Sequence, residues 1–179
     1  MEEKKNMNIK KIILEIIPYV VILIIVILVK TYIVSPIQVN GRSMNDTLND
    51  KDIMILNKLH YRFNDIKRFD IVVVKYENTY LIKRVIGLPG ENIEYKDNKL
   101  YIDGKNIKED YLDKDTYTSD FKLKDIIEEE KIPNNKYFVM GDNRQHSTDS
   151  RVLGVFDKKL IEGKTSLTVF PFNRLGNKK

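Results

Sequence analysis

One stretch constrains this chain more than any other. Residues 12–34 read IILEIIPYVVILIIVILVKTYIV, with Glu15 and Lys30 as the only charges. As an α-helix, 23 residues span about 35 Å, slightly more than the roughly 30 Å of a bilayer's hydrocarbon core. Lys11 precedes Glu15 by four residues, so the two can pair near the headgroups, and Pro18 is tolerated close to the start of a membrane helix. Two other readings fit less well. A helix apolar on every side rarely forms the core of so small a domain. A cleaved signal peptide should have an apolar region of about 7–15 residues and an A-x-A-like cut site, whereas this chain contains no Ala. The sequence therefore predicts a retained transmembrane helix over 12–34. Four lysines, Lys4, Lys5, Lys10 and Lys11, precede it, while its far end has only Lys30, within the run, and Arg42 before residue 50. The positive-inside rule then predicts a cytoplasmic N-terminus, 1–11, and a domain on the outer side of the cell membrane.

The remaining chain is long enough for one domain with an insertion. From Ser35 onward the apolar runs are short and rich in β-branched and aromatic residues: 37–39, 53–56, 71–74, 80–86, 93–95, 100–102, 137–140 and 166–170. Pro89-Gly90, Asp97-Asn98, Asp103-Gly104 and Pro133-Asn134-Asn135 punctuate them. Helical signal is confined to 121–131, FKLKDIIEEEK. The expected fold is mainly β: a β core over 35–96 and 136–179, with a smaller, more charged β insertion over 97–135.

Composition removes several chemistries. With no Cys, disulfides, thiolate nucleophiles and Cys-ligated metals are excluded, and two His make a histidine-rich metal site an unattractive reading. The net charge of +5 is divided between the N-terminal region and a nearly balanced domain. There is no basic cluster with interleaved aromatics, so nucleic acid is not expected as a partner.

Serine is scarce, and Ser43 sits in VNGRSMNDTL, where Gly41 permits unusual dihedrals and close approach of another backbone. A serine nucleophile needs a base and donors for the oxyanion. Taken singly, G-x-S reads more readily as a surface turn. For the base, His60 and His146 allow a Ser-His-Asp triad on composition alone, though neither lies in a recognisable motif. Lys83 lies within the apolar strand YLIKRVIG. Period-two alternation places it between Leu81 and Val85 on one face, with Ile82, Arg84 and Ile86 on the other. Burial there would lower its pKa from about 10.4 and make a neutral amine available as a general base. A strand-edge lysine with its amine in water is the plainer alternative. A third segment, GDNRQHSTDSRVLGVF over 141–156, carries Asp142, Arg144, Asp149 and Arg151. It reads either as a packed polar turn able to orient Ser147 or Ser150, or as a solvated loop.

Taken together and in order, SMNDTL (43–48), KRVIGLPGE (83–91) and GDNRQHSTDSR (141–151) resemble the motifs of type I signal peptidases. The single N-terminal anchor and the DIVVV segment at 70–74 match as well. The resemblance covers the anchor and 37–156, more loosely in the insertion, and is closest to the Gram-positive pattern. It implies a membrane-bound serine endopeptidase of peptidase family S26 that removes signal peptides from secretory preproteins. Ser43 then corresponds to the nucleophile, Lys83 to the general base and Ser147 to the hydroxyl orienting the lysine amine. Asp142, Asp149 and Arg151 correspond to the supporting polar network. The oxyanion would rest on the Ser43 backbone N–H. Gly41 replaces a hydroxyl that some members place two residues before the nucleophile, so a second donor has to come from elsewhere. Neither metal nor cofactor is implied. Asp46 stands where the family has Pro, which frees the backbone just after the nucleophile and adds a charge, though an Asx-turn can restore local order.

Ser43 follows Val34 by only nine residues, so the site is expected near the membrane surface. The substrate would be an extended peptide added alongside a strand edge, with 38–41 and 80–83 as candidate partners. Gln38, Gly41, Met44, Tyr80 and Ile82 are the candidate substrate-binding residues. Rival expectations are a self-cleaving repressor-type peptidase, which the membrane helix disfavours, and a non-catalytic membrane-anchored β-domain of a surface complex.

Overall fold

A computed structural model describes residues 9–45 and 47–178. The cytoplasmic segment expected over 1–11 therefore lies almost wholly outside the described residues, and so does Asp46.

Helix α1, Ile9–Tyr32, contains the apolar run. Its Lys11–Tyr32 stretch is long and apolar enough to cross a membrane and is not buried against the rest of the protein. The helix stops two residues short of the expected boundary because Val34 already pairs with Asn57 as the first residue of β1, Val34–Gln38. Lys58 holds the junction. Its amide donates to Ile33 O at 2.9 Å and its Nζ to Thr31 O at 3.0 Å. A cation at those carbonyls also opposes the negative end of the helix dipole.

The domain is mainly β, as its short, turn-bounded apolar runs predict. The larger sheet runs in the order β1, β2 (Ile53–Asn57), β11 (Ile161–Phe170), β3 (Ile71–Tyr76), β4 (Thr79–Gly87), β9 (Lys136–Met140) and β10 (Phe156–Asp157), with β12 (Gly176–Asn177) paired to β11. Strands β3 and β4 form a hairpin in which Lys83 lies opposite Val72 and Arg84 opposite Ile71. The second half of β4 pairs with β9, starting at Arg84–Met140. One core cluster includes Val72, Val74, Val85 and Val139, and another includes Val39, Met44, Leu48 and Met54.

The smaller sheet has the order β7 (Lys105–Ile107), β6 (Lys99–Ile102), β5 (Ile93–Lys96) and β8 (Phe121–Lys122). It starts ahead of residue 97 because β5 and β6 form one hairpin about Asp97-Asn98. Both turn residues have positive φ, +52° and +59°, as a tight hairpin turn requires. The helix expected over 121–131 is only the single turn α3, Lys124–Ile127. Phe121 and Lys122 pair with β5 instead, and Phe121 stacks on Phe138. The acidic run that follows opposes the C-terminal end of a helix dipole, and Glu128 ends the turn at φ +61°. Two further single turns are α2 (His60–Phe63) and α4 (Ser150–Leu153).

Candidate active site

The turn after β1 carries Ser43, and the core fixes that turn. Met44 and Leu48 are buried, and Leu48 N donates to Met44 O at 2.8 Å. Gly41, at φ +100°, donates its amide to Asp50 Oδ1 at 2.8 Å. The loop after β9 holds the turn from the other side: Asn143 N donates to Ser43 O at 3.1 Å and Asn143 Nδ2 to Arg42 O at 3.0 Å.

Adjacent residues of β4 serve the two ends of this turn. Lys83 Nζ donates to Ser43 Oγ at 2.6 Å. Arg84 forms a bidentate pair with Asp142, Nε to Oδ1 at 2.9 Å and Nη2 to Oδ2 at 2.6 Å, and Asp142 Oδ2 accepts from Thr47 Oγ1 at 2.6 Å. The Arg84 guanidinium also lies 3.9 Å over the Tyr111 ring. A buried pair this well satisfied fixes geometry more than it adds stability.

Lys83 is only 2% exposed. Burial pulls its pKa down to about 8; the Arg151 charge works in the same direction, against the carboxylates of Asp149 and Asp142. A substantial neutral fraction near pH 7–8 follows, with the lone pair beside the Ser43 hydroxyl. This is the pairing of nucleophile and base that acyl transfer needs. Among the described residues neither histidine bonds to Ser43: the ring of His146 meets Asn143 Oδ1, and His60 packs edge-on against Tyr61.

Asp149 anchors the remaining network. It accepts from Arg151 Nε at 2.9 Å, Arg151 Nη2 at 2.8 Å and Gly141 N at 2.9 Å. Burial pushes its carboxyl up, but the bonds from Arg151 and Gly141, with a weaker contribution from the Ser147 hydroxyl, hold it below the usual carboxylate range. Ser150 Oγ accepts from Val139 N at 2.9 Å, so it belongs to the scaffold. Ser147 Oγ is buried and makes no hydrogen bond of standard geometry among the described residues. The expected bond from Ser147 to the Lys83 amine is not made in this structure. The Ser43 N–H likewise donates to no acceptor among the described residues.

A groove of about 480 Å³ opens beside Ser43 and Lys83. Gln38, Met44, Tyr80 and Ile82 line it, as do Ile37, Val39 and Val73; Gly41 does not. Strand β1 is the end strand of its sheet, and Thr79–Lys83 pairs with β3 only, so two strand segments with an unpaired edge border the groove.

Sequence reasoning passed over Gly141, Thr47, Asn143 and the extent of the Arg144 contacts. A methyl group on Gly141 would collide with the Ser43 carbonyl oxygen and the Ser147 side chain. Arg144 is buried and donates to Gly141 O at 3.1 Å, Glu109 Oε1 at 2.6 Å, Thr118 Oγ1 at 3.1 Å and Tyr111 OH at 3.0 Å. It thereby ties the loop after β9 to the 109–118 segment between β7 and β8. The signal for Gly141, Asn143 and Thr47 was their place inside the quoted motifs; the Arg144 partners lie in a segment with no motif.

The family model described as "Signal peptidase, peptidase S26" matches residues 11–170. The chain is 45% identical over 163 residues to signal peptidase I P of Bacillus subtilis subsp. natto, covering 88% of each protein. It is 38% identical over 182 residues to signal peptidase I of Bacillus licheniformis, covering 98% of each. The crystal structure of a signal peptidase I from Enterococcus faecalis V583 is similar at a TM-score of 0.52 and 37% identity, over 56% of this chain and 97% of that one. A β domain behind an apolar N-terminal helix, with a serine and a buried lysine at hydrogen-bonding distance, is thus accompanied by full-length sequence similarity. The chain belongs to the signal peptidase family S26, as a serine peptidase of the type I class.

Proposed function

We propose that this enzyme removes signal peptides from secretory preproteins with a Ser43–Lys83 dyad at the outer face of the cytoplasmic membrane. The observation that carries the reading is the 2.6 Å hydrogen bond between Lys83 Nζ and Ser43 Oγ, made by a buried lysine whose pKa is pulled down to about 8.

Neutral Lys83 takes the Ser43 proton as Oγ attacks the carbonyl carbon of the scissile peptide. The Ser43 N–H, free of other acceptors among the described residues, is available to the oxyanion. Collapse of the tetrahedral intermediate transfers the lysine proton to the leaving amine, and the mature N-terminus departs. A water deprotonated by Lys83 then hydrolyses the acyl-enzyme and releases the signal peptide. Ser147 is assigned the orientation of the lysine amine, because a buried hydroxyl without a well-formed bond has capacity left for it. Asp142, Asp149 and Arg151 hold the loops that carry these groups.

The substrate lies extended in the groove, bonding through its backbone to the open edges of β1 and β4. Its small side chains before the cut face the apolar floor that includes Met44 and Ile82. The membrane helix supports a single-pass arrangement, and the lysine bias before it supports a cytoplasmic N-terminus. In this reading 97–135, joined by β5 in the smaller sheet, is an inserted subdomain on a core drawn from the rest of 35–96 and 136–179.

The test is cleavage of a preprotein bearing an A-x-A site by the full-length protein in detergent, with N-terminal sequencing of the product. A cut after the second Ala that is lost in both Ser43→Ala and Lys83→Ala is expected. Normal turnover by either variant refutes the dyad. A folded wild-type protein inert toward several preproteins would favour a non-catalytic β-domain.

A further inference from the structure

A second cavity, of about 430 Å³, opens where α1 meets the β domain, lined in part by Thr31 and Tyr32 of the helix end. Four basic side chains, Lys58, Arg62, Lys158 and Lys159, surround it with Glu162 as the one acid. They come from separate parts of the chain, the end of β2, α2 and the turn before β11, so the fold gathers them. The Lys58 amine is held by the helix-end carbonyls. Lys159 has only a loose 3.8 Å contact with Asp157, and among the described residues Arg62 and Lys158 make no ion pair. Arg62, Lys158 and Lys159 are all exposed.

The position of the cavity narrows the ligand. The 22 residues of Lys11–Tyr32 span about 33 Å, close to the thickness of a hydrocarbon core. Tyr32, 58% exposed at the helix end, then stands at headgroup depth, where tyrosine is favoured. Cations clustered at that depth meet lipid phosphates, and an acyl chain can continue down the apolar surface of α1.

We propose that this cavity binds the phosphate of an anionic phospholipid, with Arg62, Lys158 and Lys159 as its ligands and α1 as the track for its acyl chains. Bound lipid would fix the tilt of the β domain over the bilayer. It would also steady the neighbouring substrate groove, which shares Lys58 and Glu162 with this cavity. Beyond the crossing of the bilayer by α1, the site does not depend on which face the domain occupies.

The experiment is lipid titration of the full-length protein in detergent, read by native mass spectrometry with phosphatidylglycerol and phosphatidylcholine. The wild type should retain phosphatidylglycerol in preference by about tenfold or more, and Arg62→Gln/Lys158→Gln/Lys159→Gln should bring the two lipids close to parity. A control, Lys96→Gln/Lys99→Gln/Lys105→Gln, removes the same charge from exposed positions of the small sheet and should keep the preference. No preference in the wild type, an unchanged preference in the first variant, or an equal loss in the control overturns the site. Displacement of bound lipid by inorganic phosphate at equal concentration would identify a free-phosphate site and overturn the lipid assignment. Cleavage is not read, so failure here leaves the peptidase reading untouched.

Discussion

The backbone of Gly141 lies against Ser43 with no room for a side chain between them: a methyl group there would collide with the Ser43 carbonyl oxygen and with Ser147. The same residue donates its amide to Asp149 and accepts from Arg144 through its carbonyl. One glycine therefore joins the Ser43 turn, the Asp149–Arg151 pair and, through Arg144, the 109–118 segment.

Gly141→Ala should accordingly displace the Ser43 turn. The neighbour on that side is backbone, which yields less easily than a flexible side chain. The expected result is a large loss of kcat with destabilisation of about 1–3 kcal/mol, measured by preprotein cleavage and thermal unfolding.

The pH profile should follow the lysine. In the proposed mechanism catalysis needs neutral Lys83, so kcat/KM should rise with pH toward about 8 and level off above it. A profile that rises near pH 6.5 instead would point to a histidine base.

Stability carries the opposite face of the same shift. A lysine whose pKa is lower in the folded chain than in the unfolded one imposes a cost that is fully present below about pH 8. That cost is relieved as pH rises to the unfolded value of about 10.4. Lys83→Met should therefore be inactive yet more stable than the wild type at pH 7, by on the order of 2 kcal/mol. The difference should shrink between about pH 8 and 10.4, as denaturant unfolding at several pH values can show.

Breaking the Arg84–Asp142 pair should be costly. Asp142→Asn removes the carboxylate that meets the buried Arg84 guanidinium in a bidentate pair and weakens the hold on Thr47. A loss of about 3–5 kcal/mol is expected, together with reduced turnover, measured by urea unfolding and cleavage of the same preparation.

Arg144→Lys tests the bridge to the 109–118 segment. A lysine cannot reach Gly141 O, Thr118, Glu109 and Tyr111 together, as the guanidinium does. Faster hydrogen exchange over 105–120 and a lower kcat are expected, with KM changed less than kcat.

The sequence alone determined the elements whose cause is local. A run of apolar residues long enough to cross a bilayer's hydrocarbon core predicts α1, and short β-branched runs between turn residues predict most strands. Three motifs in order singled out Ser43 and Lys83, because each motif keeps its residue types together along the chain. The 121–131 segment shows the limit of local reasoning. Its pattern suits a helix, but pairing of Phe121 and Lys122 with β5 and stacking on Phe138 outweigh that preference. Only the tertiary structure decided that Lys83 would be buried and reach Ser43 across 40 residues of chain. The same holds for the burial of the Ser147 hydroxyl without its expected bond and for the partners Arg144 finds over 109–118. Burial and proximity across strands depend on how sheets stack, and no window of sequence contains that information.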